Sequence, residues 1–417
     1  MSGFSLIPLA LRSLMSRKAA VLLSVFAVAL SVTLFLGVDK IRRGANAGFE
    51  STITGTDLIV GARSGPVNLL LYSVFRIGDP TTSISWESYE DLSSRRGVKW
   101  TIPLSMGDSH ENFRVVGTTK SYLDHYRYGD ARPLTVERGK WFEDEHDAVL
   151  GAAVAADLGY ELGDEFPISH GLISAGFSEH KGHMFRVSGI LARTGTPVDR
   201  TIHVSLAGLD AVHETGAEDH EDHEDHEGHE EHEPEAISAF LVGLENRSAV
   251  LVFQRMVNTY EPEPLTAVIP GIALTQLWSV VGTAQTALTA TAGFVVVTGL
   301  LSLLIAILAS LNARARELAV LRAAGAGPSH IFSLVILETA LIATFGTLIG
   351  AGIVFGGMEI LGPILSTQYG IPLGTLGVSG FDLAILAGVI GLATLLGIVP
   401  ATQAYRRSLA DGLTMKL

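Results

Sequence analysis

Residues 313–338 read ARARELAVLRAAGAGPSHIFSLVILE, a basic, glycine-containing loop between two long apolar segments. The charged residues in its first half stand at helical spacings: Arg314, Arg316, Glu317 and Arg322. The small residues from Ala323 to Gly327 permit a sharp turn, and Pro328 suits the first turn of a second helix. The pattern predicts a helix–turn–helix that can enter a groove of a partner. A short basic hairpin without a partner is the alternative interpretation.

The composition is that of a membrane protein. Hydrophobic residues make up 47 % of the 417 residues, charged residues make up 17 %, and the mean hydropathy is +0.36. A helix needs about 20 apolar residues to cross a hydrocarbon core of roughly 30 Å. Four segments reach this length: Ala19–Val38, Ala287–Leu311, Ile331–Phe355 and Leu383–Tyr405. We therefore predict an α-helical membrane protein with four transmembrane helices and a large mixed α/β extracytoplasmic domain between the first two.

The basic residues that flank the spans predict their orientation. Three arginines lie between the second and third spans, whereas the segment between the third and fourth has no Lys or Arg. Both termini are therefore expected in the cytoplasm and the large domain in the periplasm, in a bacterial inner membrane. The predicted parts are an amphipathic helix 1–18, spans 19–38, 286–311, 331–355 and 383–405, the periplasmic domain 39–285, a cytoplasmic coupling loop 312–330, a periplasmic loop 356–382 and a cytoplasmic tail 406–417.

Two features near the N-terminus each allow two interpretations. Residues 1–18 fit an interfacial helix that lies along the inner leaflet, or an ordinary extension of the first span. The sequence Ala45-Asn46-Ala47 resembles a signal-peptidase site, which would make the first span a cleaved signal peptide. The length of the apolar run favours a span.

The periplasmic domain is predicted to contain both strands and helices. A Ser cap and helical spacing predict a helix within Ser85–Arg95, and Asp147–Tyr160 reads as a strand, a glycine and a short helix. Short β-branched runs predict strands at Phe113–Thr119, Phe185–Ala192 and Thr201–Leu206. Cysteine is absent, so no disulfide stabilises this domain.

The second span is predicted to continue well beyond the membrane. No charged residue occurs from Pro264 to Asn312. A helix from Ile272 to Ala323 would be roughly 75–80 Å long, more than twice the hydrocarbon thickness. The excess would form a stalk, with residues 39–52 as its helical partner. A helix broken near Gly282 is the alternative.

A histidine- and acid-rich segment accounts for nearly all of the formal charge of −14. Residues 213–235 contain twelve acidic residues and no basic one, which leaves −2 for the rest of the chain and gives no indication of nucleic-acid binding. Its histidines alternate with carboxylates, both suitable ligands for Zn²⁺: His213, His220, His223, His226, His229 and His232. The segment is too polar to form a core, so we predict a loop with several metal sites of modest affinity. A solvated insertion without a specific ligand is the alternative.

The loop 312–330 resembles the R-x-x-E-(I/L)-x-x-L-(R/K)-x-x-G-A sequence of MacB/LolC/FtsX-type permeases of ABC transporters, the type VII or mechanotransmission class. Arg314, Glu317, Leu318, Leu321, Arg322, Gly325 and Ala326 occupy its positions. Glu338 matches the acid common in the third span of that class, and Pro400–Leu413 resembles its C-terminal end. Four segments look like the MacB-type periplasmic core domain: Val115–Leu123, Arg138–Phe142, Val149–Phe166 and Phe185–Leu191.

The resemblance implies a separate permease subunit, without a fused ATPase, that is not itself an enzyme. The chain has no GxxxxGK loop, so ATP would be bound by a partner ABC ATPase. The resemblance implies these ATPase-coupling residues: Arg314, Arg316, Glu317, Leu321, Arg322, Gly325, Ala326 and Ser329. Further expected partners are a second copy or a homologous permease, membrane lipid, and a periplasmic adaptor or substrate-binding protein. Zn²⁺ at the histidine segment is the one cofactor that the residues suggest.

Glu338 is an ionisable group within a predicted span, where such groups are costly and usually paired. We predict an ion pair with Arg322 or with a basic residue near the fourth span; ion translocation through one carboxylate is the weaker interpretation. Two rival functions remain open at this level. One is an FtsX-like regulator of a periplasmic enzyme, and the other is a metal-binding membrane receptor or scaffold without an ATPase.

Overall fold

The structure is a computed structural model that describes residues 6–170, 184–217, 234–323, 325–369 and 377–410. Within these residues, four helices are long and apolar enough to cross a membrane: Lys18–Thr52, Pro270–Leu311, Pro328–Gly362 and Gly380–Arg406. Each contains most or all of one predicted span. A mixed α/β domain lies in the chain between the first and second of these helices, as predicted.

The helices and strands follow in a simple order. The helices are α1 (Leu6–Met15), α2 (Lys18–Thr52), α3 (Pro66–Phe75), α4 (Trp86–Ser93), α5 (Lys120–His125), α6 (Ala152–Leu158), α7 (Leu206–Ala217), α8 (Val250–Asn258), α9 (Pro270–Ala313), α10 (Ala315–Ala323), α11 (Pro328–Tyr369), α12 (Gly380–Leu396) and α13 (Ile398–Ala410). The strands are β1 (Leu58–Ala62), β2 (Ile84–Ser85), β3 (Val98–His110), β4 (Phe113–Thr118), β5 (Arg127–Tyr128), β6 (Arg132–Pro133), β7 (Val136–Gly139), β8 (Asp147–Leu150), β9 (Glu165–Pro167), β10 (Ser169–His170), β11 (Met184–Leu191), β12 (Thr201–Ser205), β13 (Ala236–Ile237), β14 (Ala239–Leu244) and β15 (Leu265–Val268).

The chain forms two compact units. One, the span bundle, contains α1, α2 up to Gly44, α9 from Gly282, α10, α11 up to Ile364, α12 and α13; the other contains residues 45–281 and the end of α11 from Leu365. The core of the span bundle is built from one face of each long helix, since residues three and four apart lie on successive turns of the same face. Its fully buried side chains include Val32 of α2, Leu303 of α9 and Val335 of α11.

Small residues set the close approach of α2 and α11. A Cβ atom added at Gly350 would lie 2.6 Å from the carbonyl oxygen of Ala29 and 2.9 Å from Cβ of Val32. One added at Gly346 would lie 2.7 Å from Cβ of Val28. Glycines at helix interfaces let two backbones come close and gain dispersion contacts, which is how helices associate in lipid.

The ends of the long helices differ from the predicted boundaries. α11 continues to Tyr369, well past the predicted span end at Phe355, so much of the predicted loop 356–382 is helical. The apolar run measures what a bilayer can cover, and a helix is free to continue beyond it. α9 is helical through Gly282, which removes the alternative of a break there, and it is followed by a turn at Arg314.

The domain between the first two spans, here the inter-span domain (residues 53–268), is built on one mixed sheet. Its main strand order is β15-β1-β14-β3-β4-β12-β8-β11-β7, with β10 paired to β3 and β9 paired to β11. The pairs β12–β4 and β11–β8 are parallel, and the other pairs are antiparallel. The predicted strands at β4, β11 and β12 are confirmed, as is the predicted Ser85 cap of α4, where Oγ accepts the backbone N–H of Ser88.

The end of α2 and the start of α9 contact each other beside the inter-span domain. The ring of Phe49 lies 5.4 Å from that of Trp278 in an edge-on arrangement and 4.5 Å from that of Phe75. The hydroxyl of Tyr126 donates to the carbonyl oxygen of Thr52 at 2.6 Å. The predicted helical character of residues 39–52 is confirmed, and these contacts fix the helix where it enters the domain.

Candidate functional site: the 312–330 loop and its buried ion pair

The 312–330 loop folds as a short helix that ends in a glycine turn. Gly325 has a φ of 95°, a conformation that side chains disfavour. The N–H of Ala326 donates to the carbonyl oxygen of Leu321 at 3.0 Å, the long hydrogen bond of a Schellman helix end. Pro328 then begins α11. The sequence of small residues and proline therefore produces the turn predicted from it.

Arg314 and Glu338 form a buried, bidentate ion pair between the end of α9 and α11. Nη2 of Arg314 donates to Oε1 of Glu338 at 2.7 Å, and Nη1 donates to Oε2. Only 3 % of the Arg314 side chain and 4 % of the Glu338 side chain are exposed. Each charge offsets the high cost of burying the other in an apolar bundle. The pair therefore ties the 312–330 loop to the third span.

Two residues of the N-terminal segment join this pair. Nη2 of Arg314 also donates to Oγ of Ser13 in α1. Arg17, in the turn between α1 and α2, lies 3.4 Å from Oε2 of Glu338. One carboxylate thus connects the N-terminal segment, the end of the second span and the third span. Movement of the 312–330 loop relative to any of these elements would disturb the cluster.

The predicted coupling residues on α10 and in the turn after it differ in their exposure. Leu321 and Ala326 are half-buried, while Glu317, Gly325 and Ser329 are exposed. Arg316 lies in α10, as does Arg322, but their side chains are outside the described residues. Val320, which was not among the predicted residues, is 68 % exposed on the same helix. An exposed carboxylate and an exposed apolar side chain on one short helix are suited to contact with a partner.

The structure changes the interpretation of two predicted residues. Glu338 is paired as predicted, but its described partners are Arg314 and Arg17, and Arg406 near the end of the fourth span is exposed. Arg314, predicted as a coupling residue, is buried. Its side chain positions the loop from inside the bundle, because Nη1 and Nη2 are directed at Glu338 and Ser13, while Nε lies 3.5 Å from Glu317.

A second buried ion pair joins the first and fourth spans. Nζ of Lys40 lies 2.7 Å from Oδ2 of Asp382 and donates to the carbonyl oxygen of Gly377 at 2.8 Å. The side chains are 1 % and 0 % exposed. Asp382 also forms a capping box with Ser379 at the start of α12, and Arg43 donates to Oγ of Ser379 at 2.9 Å. The network fixes the first span to the start of the fourth.

Sequence reasoning did not identify Ser13, Arg17, Lys40 or Asp382 as members of buried clusters. One available signal was charge: the chain has no acidic residue before Asp39, so Arg17 has no local partner. Another was position, because Lys40 and Asp382 flank predicted spans and carry opposite charge. Neither signal specifies which residues meet, since that depends on how the spans pack.

The predicted metal ligands lie almost entirely outside the described residues. His213 is in α7, but its side chain is not described, and His220, His223, His226, His229 and His232 fall in the undescribed range 218–233. Among the described residues, no group of three or more His, Cys, Asp or Glu is arranged to hold a metal ion. Zinc binding by this segment stays a prediction.

The inter-span domain contains a histidine in an apolar surrounding. His203 of β12 is 0 % exposed, and its ring lies 5.0 Å from that of Tyr122 and 5.9 Å from that of Trp141. Burial, together with the nearby charge of Arg76, lowers the pKa of His203 to about 3. The imidazole is therefore neutral at physiological pH and belongs to the core of the domain.

Four helices long and apolar enough to cross a membrane, a large mixed α/β domain inserted after the first, and a short helix–turn–helix between the second and third define a multi-span membrane protein. The family model described as the MacB-like periplasmic core domain matches residues 21–246, more than half of the chain. The model described as the FtsX-like permease C-terminal matches residues 289–409. The chain belongs to the MacB/FtsX-type family of ABC permeases, as its sequence resemblance predicted.

Two of the solved structures similar to part of this chain are an extracellular domain and a periplasmic region of other proteins. One is the extracellular domain of the noncanonic ABC-type transporter YknZ from Gram-positive bacteria, at 15 % identity and a TM-score of 0.31, covering 51 % of this chain and 98 % of that one. Another is the periplasmic region of MacB from Actinobacillus actinomycetemcomitans, at 11 % identity and a TM-score of 0.35, covering 54 % and 94 %. No curated protein matches the chain. The family assignment rests on the two family models.

Proposed function

We propose that this chain is the membrane-spanning subunit of an ABC system in which a separate ATPase moves the inter-span domain. The ATPase docks on α10 from the cytoplasm, and its nucleotide-driven motion shifts the second and third spans. The inter-span domain then acts on a cargo outside the membrane, such as a lipid or a lipoprotein. The chain contributes mechanical coupling and no catalytic residue of its own.

The observation that carries this proposal is the construction of the 312–330 loop. The exposed Glu317 and Val320 stand on a helix that begins one residue after the buried Arg314. A force applied to α10 is passed to the third span by the Arg314–Glu338 pair and to the second span by the covalent chain. Since α9 continues as one helix to Pro270, the motion reaches the start of the inter-span domain without an intervening loop.

The test is recovery of the ATPase. The tagged chain is purified in mild detergent from its native host, and copurifying proteins are identified by mass spectrometry. An ABC ATPase is expected with the wild type, and its recovery should fall about tenfold in Val320→Glu and Glu317→Arg, because a charge change at an interface centre typically costs over 1 kcal/mol. Leu251→Glu, which alters an exposed apolar residue of α8 in the inter-span domain, is the matched control.

Absence of any ATPase from the wild-type preparation would refute the coupling proposal and favour a receptor or scaffold. Equal recovery with the α10 variants and the wild type would instead move the docking surface away from α10. If an ATPase copurifies together with a periplasmic hydrolase and no transported cargo is found, the FtsX-like regulator is the better description.

We also infer that the segment 213–235 binds zinc or another divalent metal. Five of its histidines recur every third residue between carboxylates, which supports several weak sites of mixed nitrogen and oxygen ligands. The full-length protein is titrated with Zn²⁺ by calorimetry beside a variant in which those five histidines are changed to Asn. The binding heat should be largely lost in the variant and reduced at pH 5.5, because protonated imidazole cannot bind metal. Unchanged heats would refute metal binding.

A further inference from the structure

A shallow groove opens on the side of the span bundle next to Arg17. Its apolar lining residues are Leu14 of α1, Val21 of α2, Ile307 of α9 and Ile342 of α11. Its polar lining residues are Arg17, Glu338, Ser24 and Ser310. The groove is open to the outside and encloses only about 20 Å³. It is therefore shaped to take part of an elongated molecule from the side rather than to enclose a whole ligand.

Arg17 is not fully satisfied by its protein contacts. Nη2 makes only long contacts, 3.4 Å to Oε2 of Glu338 and 3.5 Å to Oγ of Ser13. The buried Nε has no hydrogen-bond partner among the described residues. The reason is that Arg314 already takes both carboxylate oxygens of Glu338 in the closer, bidentate arrangement. The Nε atom is covered by protein, but 19 % of the Arg17 side chain is exposed, so the exposed part of the guanidinium is open to a further acceptor.

The charges around the groove favour an anion. Arg12 and Lys18, on either side of Arg17 in the chain, are exposed, and no acidic residue precedes Asp39. The nearby carboxylates are Glu338, which is paired with Arg314, and the half-exposed Glu317, 3.5 Å from Nε of Arg314. With Arg12 and Lys18 counted, cations still outnumber these carboxylates, and phosphate oxygens can accept two parallel guanidinium hydrogen bonds.

We propose that the groove binds one phospholipid, with its phosphate on Arg17 and the upper part of an acyl chain along the apolar wall. The groove lies in a membrane-spanning bundle. Leu22 and Leu23, near the start of α2, are 66 % and 69 % exposed, so this part of α2 faces lipid. The bound lipid completes the contacts of Arg17 and packs against the elements that hold the 312–330 loop. The site does not depend on the proposed ATPase.

The test is lipid retention by the purified full-length protein. After delipidation in detergent, phosphatidylglycerol is added and bound lipid is counted by native mass spectrometry. The wild type should retain one tightly bound molecule, and Arg17→Gln should bind it about tenfold more weakly, as expected for loss of a charge-assisted contact. Arg17→Lys should retain part of the affinity. Arg406→Gln, which removes an exposed cation of α13, is the matched control and should behave as the wild type.

A second variant separates lipid binding from misfolding at Arg17. Ala306→Phe fills the groove from α9 without changing any charge and should reduce retention to a similar degree. Retention by Arg17→Gln and Ala306→Phe equal to that of the wild type would overturn the proposal. So would displacement of the lipid by millimolar inorganic phosphate, because the site would then recognise free phosphate and the apolar wall would contribute nothing.

Discussion

Arg314 and Glu338 are 24 residues apart in the chain and form a bidentate ion pair inside the span bundle, with 2.7 Å between Nη2 and Oε1. The pair joins the start of the 312–330 loop, directly after the second span, to the third span. Arg17, 321 positions from Glu338, is brought to the same carboxylate. The loop is thus anchored from within while the outer face of α10 stays exposed.

Breaking this pair on one side should be strongly destabilising. In Glu338→Gln, the buried Arg314 keeps only Glu317, 3.5 Å from its Nε, as a counter-charge, and we expect a loss of about 3 kcal/mol of unfolding free energy. The double variant Arg314→Leu with Glu338→Leu should lose much less, because no charge then remains buried. Thermal and SDS-induced unfolding in detergent micelles measure both. Glu317→Gln removes only the longer contact, 3.5 Å, between a 54 % exposed carboxylate and Nε of Arg314, and should change stability by less than about 1 kcal/mol. A double variant as unstable as the single one would show that the pair is not the source of the effect.

The Lys40–Asp382 pair should act in the same way for the first and fourth spans. Lys40→Met leaves Asp382 buried with fewer partners, and we expect a loss of about 2–4 kcal/mol. Arg42→Met is the matched control, since Arg42 is 38 % exposed and pairs with Asp39 on its own helix. Its effect should stay below about 1 kcal/mol. Comparable unfolding temperatures for the two variants would contradict the buried position of Lys40.

The contact of the first and third spans depends on the absence of a side chain at Gly350. Gly350→Ala places a methyl group 2.6 Å from the carbonyl oxygen of Ala29, and we expect a loss of about 1–3 kcal/mol as the helices move apart. Gly352, two residues further along, has nothing within 4 Å of an added Cβ. Gly352→Ala should therefore be neutral, or stabilising by up to about 1 kcal/mol through helix propensity. Equal changes of unfolding free energy in Gly350→Ala and Gly352→Ala would show that the close approach of α2 and α11 does not stabilise the protein.

The stability of the inter-span domain should fall in acid because of His203. Its pKa is about 3 when folded, through burial and then the charge of Arg76, and about 6.5 when unfolded. Between these values the unfolded chain binds the extra proton, so stability is complete above pH 6.5 and decreases as the pH falls towards 3. The loss over the whole window amounts to about 5 kcal/mol at most.

His203→Phe removes this titration and suits the aromatic surrounding of Tyr122 and Trp141. Urea unfolding followed by tryptophan fluorescence at pH 7, 5.5 and 4.5 compares it with the wild type. The variant should lose less stability on acidification. The raised pKa of the buried Asp199 acts in the opposite direction in both proteins, so the difference between them isolates His203. If the wild type and the variant lost equal stability on acidification, the pKa of His203 would have to be the same in the folded domain as in the unfolded chain.

The sequence predicted elements that depend on local composition. Runs of apolar residues near 20 in length identify the spans because the hydrocarbon core has a fixed thickness. The turn after α10 was predictable because glycine and proline restrict the backbone locally, as Gly325 and Pro328 do. Helix ends were less predictable: α11 runs to Tyr369 because helical backbone continues wherever its hydrogen bonds are satisfied, whether or not lipid surrounds it.

The apolar runs by themselves determined the four spans, and the β-branched runs and helix signals between the first two indicated a mixed α/β domain. The resemblance of residues 314–326 to a known permease sequence indicated the family, and the position of Glu338 within a span predicted that it is paired. Only the tertiary structure decided which residues pair with it. Arg314 and Arg17 reach Glu338, and Lys40 reaches Asp382, because helices distant in sequence pack in one register set by small residues such as Gly350. The sequence indicates that a charge within a span needs a counter-charge. Which residue supplies it depends on distances that are set only when the helices pack together.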